Sequence, residues 1–187
     1  MKTVKILLAV LVVSLYSFTT TSGKLKSTKN HIHFFSHTDM EDISADNYSS
    51  VSTLDKLTGE AVFSVPMQSF QFEKALMQKH FNSPDFLDTK AFPKAKFIAK
   101  INHIEQVDFT KDGTYTVTIT GNMTIKATTK SITEKGSIII NDGKVSVHSK
   151  FNLVLADYGI SFEKGKPASN IAKNVEVTID ADYDQEI

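Results

Sequence analysis

Histidines and carboxylates are the residues here whose types and spacing could do chemistry. His31 and His33 stand two apart in HIHFFSH, with His37 close by. On a strand, residues i and i+2 share a face, and two imidazoles on one face can chelate Zn2+ or Cu2+. The chain contains no cysteine, and the sequence sets no acidic residue in fixed register with the pair. A solvated strand face is therefore the preferred reading, with no metal site. Serine, histidine and aspartate all occur, yet there is no Gly-x-Ser-x-Gly elbow and no histidine set against an activated nucleophile. Asp85 and Asp88 read as a helix N-terminal acid and a surface residue, not as a carboxylate pair. These groups point to a protein that is not an enzyme and needs no cofactor.

The elements that would position any site fall into two kinds. From Phe70 to Phe97 the chain reads FQFEKALMQKHFNSPDFLDTKAFPKAKF. Phe72, Leu76 and His80, together with Met77 and Phe81, recur at helical offsets, which predicts a short amphipathic helix. Asn82, Ser83, Pro84 and Asp85 resemble an N-cap, a first-turn proline and a first-turn acid, which predicts a second short helix stopped by Pro93. Everything around this insert alternates with the period of a strand. Ile32, Phe34 and Ser36 share one face, with His31, His33, Phe35 and His37 on the other. A polar loop is expected from Thr38 to Lys56, followed by a strand carrying Ala61, Phe63, Val65 and Met67. After the insert come Ala95 to Ile104, then Tyr115, Val117 and Ile119 behind Asp112-Gly113, read as a hairpin turn. Met123 and Ile125 continue that face past Gly121, whose missing side chain would permit a bend or a close approach. Asp142-Gly143 marks a second hairpin. Val145, Val147, Phe151 and Leu153 follow it, and Val175 to Ala181 form the last strand.

Composition narrows the class. A chain of 187 residues suits one well-buried domain, and 21 basic and 21 acidic side chains leave no clustered basic face for nucleic acid. Every basic residue is lysine, so an anion would have to be held by lysine, histidine or backbone donors. Lys2 and Lys5, the apolar run Ile6 to Phe18 and the small residues Thr19 to Gly23 read as a signal peptide over residues 1–23, with the mature domain at 24–187. That leader predicts a periplasmic or secreted protein with no stable membrane insertion once cleaved. Without cysteine, the exported domain must be stable through its core alone.

About eight strands, tight turns and one helical insertion predict an all-β, eight-stranded antiparallel barrel; a sandwich with the same residues as its core is the other reading. A closed barrel of eight strands can hold one small ligand.

The residues also carry a resemblance. Asp85-Phe86-Leu87-Asp88-Thr89 followed by Phe92-Pro93-Lys94-Ala95-Lys96-Phe97 resembles the Asp-Phe-Phe/Leu and Tyr/Phe-Pro-x-x-x-Phe segments of the YceI-like family. His80 falls on the histidine of that family's Arg-Asp-x-His-Leu motif. Thr58-Gly59, Gly121-Asn122-Met123-Thr124-Ile125 and Asp157-Tyr158-Gly159-Ile160 match further segments, in order, across the mature chain. The chain departs from the family at Met77-Gln78, where Arg-Asp is usual, and at Lys126-Ala127, where His-Gly is usual.

The resemblance implies a lipocalin-like barrel that binds a long-chain isoprenoid, a quinone or a fatty amphiphile. A chain of about 40 carbons at roughly 0.3 kcal/mol per atom would give on the order of 12 kcal/mol. The barrel residues placed along the tunnel are Phe34, Phe63, Val65, Met67, Phe97, Ile101, Tyr115, Val117, Met123, Ile125, Phe151 and Leu153. The insert would add Phe70, Phe72, Met77, Phe81, Phe86 and Phe92, while His80 and Lys126 would meet a polar head. Core packing is the other reading of each apolar residue. An extracytoplasmic, stress-related interaction domain with a filled barrel and a protein partner is the alternative function, and homodimerisation is compatible with either.

Overall fold

A strand half-buried in a sheet should alternate between core and solvent, and Lys94–Ile101 does so without a break over KAKFIAKI. The same logic builds a curled, wholly antiparallel sheet. In the computed structural model, residues 23–160 and 171–187 are described; the leader assigned to residues 1–23 lies outside them apart from Gly23. The strands are β1 (Lys24–Ser27), β2 (Lys29–His37), β3 (Asp42–Asn47), β4 (Val51–Asp55), β5 (Glu60–Pro66) and β6 (Gln71–Phe72). After helix α1 (Ala75–Asn82) come β7 (Lys94–Ile101), β8 (Gly113–Ile125), β9 (Thr128–Asn141), β10 (Lys144–Val154), β11 (Asn174–Tyr183) and β12 (Gln185–Glu186). Their order in the sheet is β12-β1-β4-β5-β7-β8-β9-β10-β11-β2-β3-β6.

This sheet curls into a half-barrel rather than a ring of eight hydrogen-bonded strands. Its two sides approach where β1 nears β11 and β2 nears β4, and side chains make the link that the ladder does not. Asn30, 2% exposed, donates from Nδ2 to the Ser50 carbonyl at 3.0 Å. Its Oδ1 accepts from the Ser52 hydroxyl at 3.1 Å. Nearby, buried Asn47 donates to the Pro66 carbonyl at 2.8 Å. Buried polar groups have to be paired, so this seam fixes which strand edges meet.

Three sequence expectations change. Residues 38–56 are not a polar loop, because β3 and β4 lie within them. Their inward positions include Asn47 and Ser52, which serve the seam and so weaken the apolar alternation that betrays a strand. The second helix is absent. Ser83 caps the end of α1, its N–H and hydroxyl both donating to the His80 carbonyl. Turns follow, with Asp88 at φ 45° where a helix could not continue. Asp112-Gly113 is not a two-residue hairpin, since Ile101 of β7 pairs with Ile119 and residues 102–112 form the connection. Asp142-Gly143 does join β9 to β10, with φ of 49° and 71° as a primed turn requires. Gly121 is a close approach: a Cβ there would lie 2.4 Å from the Ala99 Cα.

Candidate functional site: a half-hollow barrel

Away from the polar seam the inner face of the sheet is mostly apolar, but it is filled at one end only. Leu54, Ile101, Ile119, Ile138, Ile140, Val145 and Val147 are buried against one another's strands and close the end opposite the insert. Towards the insert the interior opens into a cavity of about 600 Å3. The strand ends explain why. Phe63 and Val65 late in β5, Ala95 and Phe97 early in β7, Met123 and Ile125 late in β8, and Phe151 and Leu153 late in β10 all face it. Antiparallel pairing brings these positions together, with Phe63 opposite Phe97 and Phe97 opposite Met123.

The insert forms the mouth. Met67 and Phe70 follow β5, Phe72 lies on β6, Met77, His80 and Phe81 on α1, and Phe86 in the turn beyond; all line the cavity. Phe81 is the centre of an aromatic cluster, with ring centroids 5.0 Å from Phe72, 5.4 Å from Phe70, 5.8 Å from Phe34 and 6.2 Å from Phe86. Phe34 stacks on Phe81 and the other three rings are tilted to it, arrangements that make a firm apolar wall. Lys79, His80, Ser83, Asp85 and Lys96 supply the polar rim. Two contacts hold the insert in place: Lys74 Nζ lies 2.7 Å from Glu41 Oε1, and Lys126 Nζ donates to the Phe86 carbonyl at 2.8 Å.

Five expected site residues lie away from the cavity lining. Ile101 and Val117 belong to the filled end, buried in the strands there. The half-buried Tyr115 turns its hydroxyl to the Asp108 and Lys111 carbonyls. Phe92 lies in the turn whose N–H groups return to the Asp88 carbonyl. Lys126, expected at a polar head, instead occupies the β8–β9 turn at φ 53° and ties that turn to the insert. For Ile101, Tyr115 and Val117 the reason is that alternation shows which face a residue occupies, but not how far along the barrel the filling extends.

Sequence reasoning missed another wall. Ile32 and Ser36 of β2, Ile43 of β3 and Val175, Val177 and Ile179 of β11 also line the cavity. Val177 stands opposite both Phe34 and Phe151 in register. The period-2 pattern of the last strand carried that signal, and only its neighbours in the sheet were unknown.

The YceI-like domain model matches residues 9–183. The chain belongs to the YceI-like family. Among solved structures, this YceI-like chain is similar to a polyisoprenoid-binding domain from Saccharophagus degradans implicated in plant cell wall breakdown. That match has a TM-score of 0.72 at 11% identity, covering 87% of this chain and 98% of that one. It is similar to BcnA of Burkholderia cenocepacia, with TM-score 0.68 and 16% identity over 82% and 95% of the two chains. A YCEI protein of Campylobacter jejuni, in a mutant form with a monobromobimane guest, superposes with TM-score 0.56 at 18% identity, over 74% and 81%. No curated protein matches the chain. At these identities the likeness establishes the shared fold.

Proposed function

We propose that this YceI-like protein binds a long-chain isoprenoid or a similar amphiphilic lipid, outside the cytoplasm and without chemical turnover. The apolar cavity walled by phenylalanine, isoleucine, valine and methionine carries this reading, because a site with so few polar groups selects by shape and dryness. The polyisoprenoid-binding description of the Saccharophagus relative supports the same ligand class.

Size refines the expectation from sequence. At the roughly 30 Å3 that a water-sized group takes in a liquid, a cavity of about 600 Å3 encloses about 20 heavy atoms. At roughly 0.3 kcal/mol per atom the enclosed part contributes about 6 kcal/mol, a dissociation constant in the tens of micromolar. A chain of about 40 carbons would leave half its length at the mouth, against the rings of Phe72, Phe81 and Phe86. Lys79, His80 and Lys96 on the rim are placed to meet a polar head.

Export follows from the apolar leader read in residues 1–23, and among the described residues no helix is long and apolar enough to cross a membrane. Native mass spectrometry of the protein, exported with its own leader and purified gently, tests the whole reading. A one-to-one apolar adduct on a chain starting near Lys24 is expected. A bare chain that also refuses added prenols, quinones and fatty amides would overturn it in favour of a protein partner.

A further inference from the structure

The outer face of β2, behind the cavity wall, carries a second arrangement that the lipid reading does not use. Strand geometry sets His31 and His33 on that face, while Ile32 and Phe34 point inward. Antiparallel pairing then places Asp46 of β3 directly opposite His33. The result is a convergence that the sequence did not reveal. His31 Nε2 lies 2.7 Å and His33 Nδ1 2.8 Å from the same Asp46 oxygen, Oδ1. The ligand atoms of the three side chains all lie within 4.8 Å of one another, and among the described residues this is the one such trio.

We infer that His31, His33 and Asp46 form a binding site for a borderline-soft divalent transition metal, Zn2+ or Cu2+, on the outside of the barrel. Two imidazoles and one carboxylate are the donor set those ions favour, whereas Ca2+ and Mg2+ select oxygen-only sites. A tetrahedral ion with bonds of about 2.0–2.1 Å needs donors roughly 3.3 Å apart. Reaching that spacing opens the two short contacts to Asp46 by about half an ångström, within the reach of side-chain rotation. The site leaves a fourth position for water, and each ligand is half-buried at the sheet surface.

The surroundings favour a formed site over a chance contact. Tyr48 lies flat on His31, with ring centroids 4.6 Å apart and planes within 8°, which fixes the orientation of that imidazole. Asp180 of β11 stands opposite His31 on the other side, so a cation here lies near a second carboxylate. That carboxylate already holds His148 at 2.7 Å. His37 with Asp42, His148 with Asp180 and His103 with Glu105 each pair one imidazole with one carboxylate. They are internal controls for what a lone pair can bind.

Calorimetric titration of the full protein, produced without a polyhistidine tag, with ZnCl2 and separately with CuCl2 tests the site. One ion per chain is expected. His33→Gln and Asp46→Asn, both close in size to the residues they replace, should each weaken binding by more than the roughly 10- to 100-fold that loss of an outer-shell partner costs. His148→Ala and His37→Ala should leave it unchanged. In NMR spectra, substoichiometric Cu2+ should broaden the His31 and His33 imidazole signals before that of His103. No binding, binding indifferent to His33→Gln and Asp46→Asn, or equal loss in His148→Ala would each overturn the assignment. None of these results depends on whether a lipid occupies the cavity.

Discussion

Gly121 shows how one missing atom lets two strands approach closely. It pairs with Ala99 across β7 and β8, and a methyl group there would meet backbone atoms 2.4 Å away, which cannot rotate aside. Gly121→Ala should therefore lower stability by about 3 kcal/mol, read as a reduced midpoint in urea with an unchanged slope. Tyr183 makes a different residue-scale prediction. Burial pushes its phenol up to about 12, while a hydrogen bond with Ser52 pulls the other way. The folded chain thus holds this proton more tightly than the unfolded chain, whose tyrosine titrates near 10. The stability this provides is complete below pH 10 and is lost as pH rises towards 12, on the order of 2 to 3 kcal/mol. Against Tyr183→Phe, the wild type should lose that much more stability across the window in denaturant titrations at stepped pH.

The insert acts as one element because it is clipped from both sides. Lys74 reaches Glu41 in the β2–β3 connection, and Lys126 reaches back from the β8–β9 turn to the Phe86 carbonyl. The second clip is half-buried, which makes it the stronger constraint on the mouth. Lys126→Ala should cost about 1 to 2 kcal/mol. Amide exchange at Phe86 and Asp88, both of which donate to the Ser83 carbonyl, should speed up. If the insert gates the cavity, bound lipid should also dissociate faster, whereas unchanged exchange at these amides would show that the turn holds itself. The family position that usually carries His-Gly thus serves here as a tether between a hairpin and the mouth.

Across the whole molecule, the division into a filled and a hollow half is the feature that governs substitution. Val117 lies in the filled half and Met123 faces the cavity, although both occupy the inner face of β8. Val117→Trp adds volume where none is free and should destabilise by about 3 kcal/mol or prevent folding. Met123→Trp grows into open space, so thermal melting should move little while the lipid adduct disappears from native spectra. Equal destabilisation by the two substitutions would mean that the cavity is not a binding space.

Much of this was legible in residues 30–183 without coordinates. Period-2 alternation identified the inner faces of β2, β5, β7, β8 and β10, and helical spacing found α1 at Ala75–Asn82, although Phe72, counted with that helix, lies on β6. Asp142-Gly143 announced its turn because left-handed backbone at both positions is a local demand. The order of short motifs across the chain pointed to the YceI-like family, and with it to a ligand class. Such features are local, written into neighbours a few positions apart. Tertiary structure alone decided how many strands joined the sheet, because β3 and β4 carry Asn47 and Ser52, polar residues that matter only once they meet the Pro66 carbonyl and Asn30. It also decided where the filling stops, which excluded Ile101 and Val117 from the cavity and admitted Val175 and Val177. And it brought Asp46 onto His31 and His33, since a cross-strand partner is chosen by register, a property of two strands together that neither segment carries by itself.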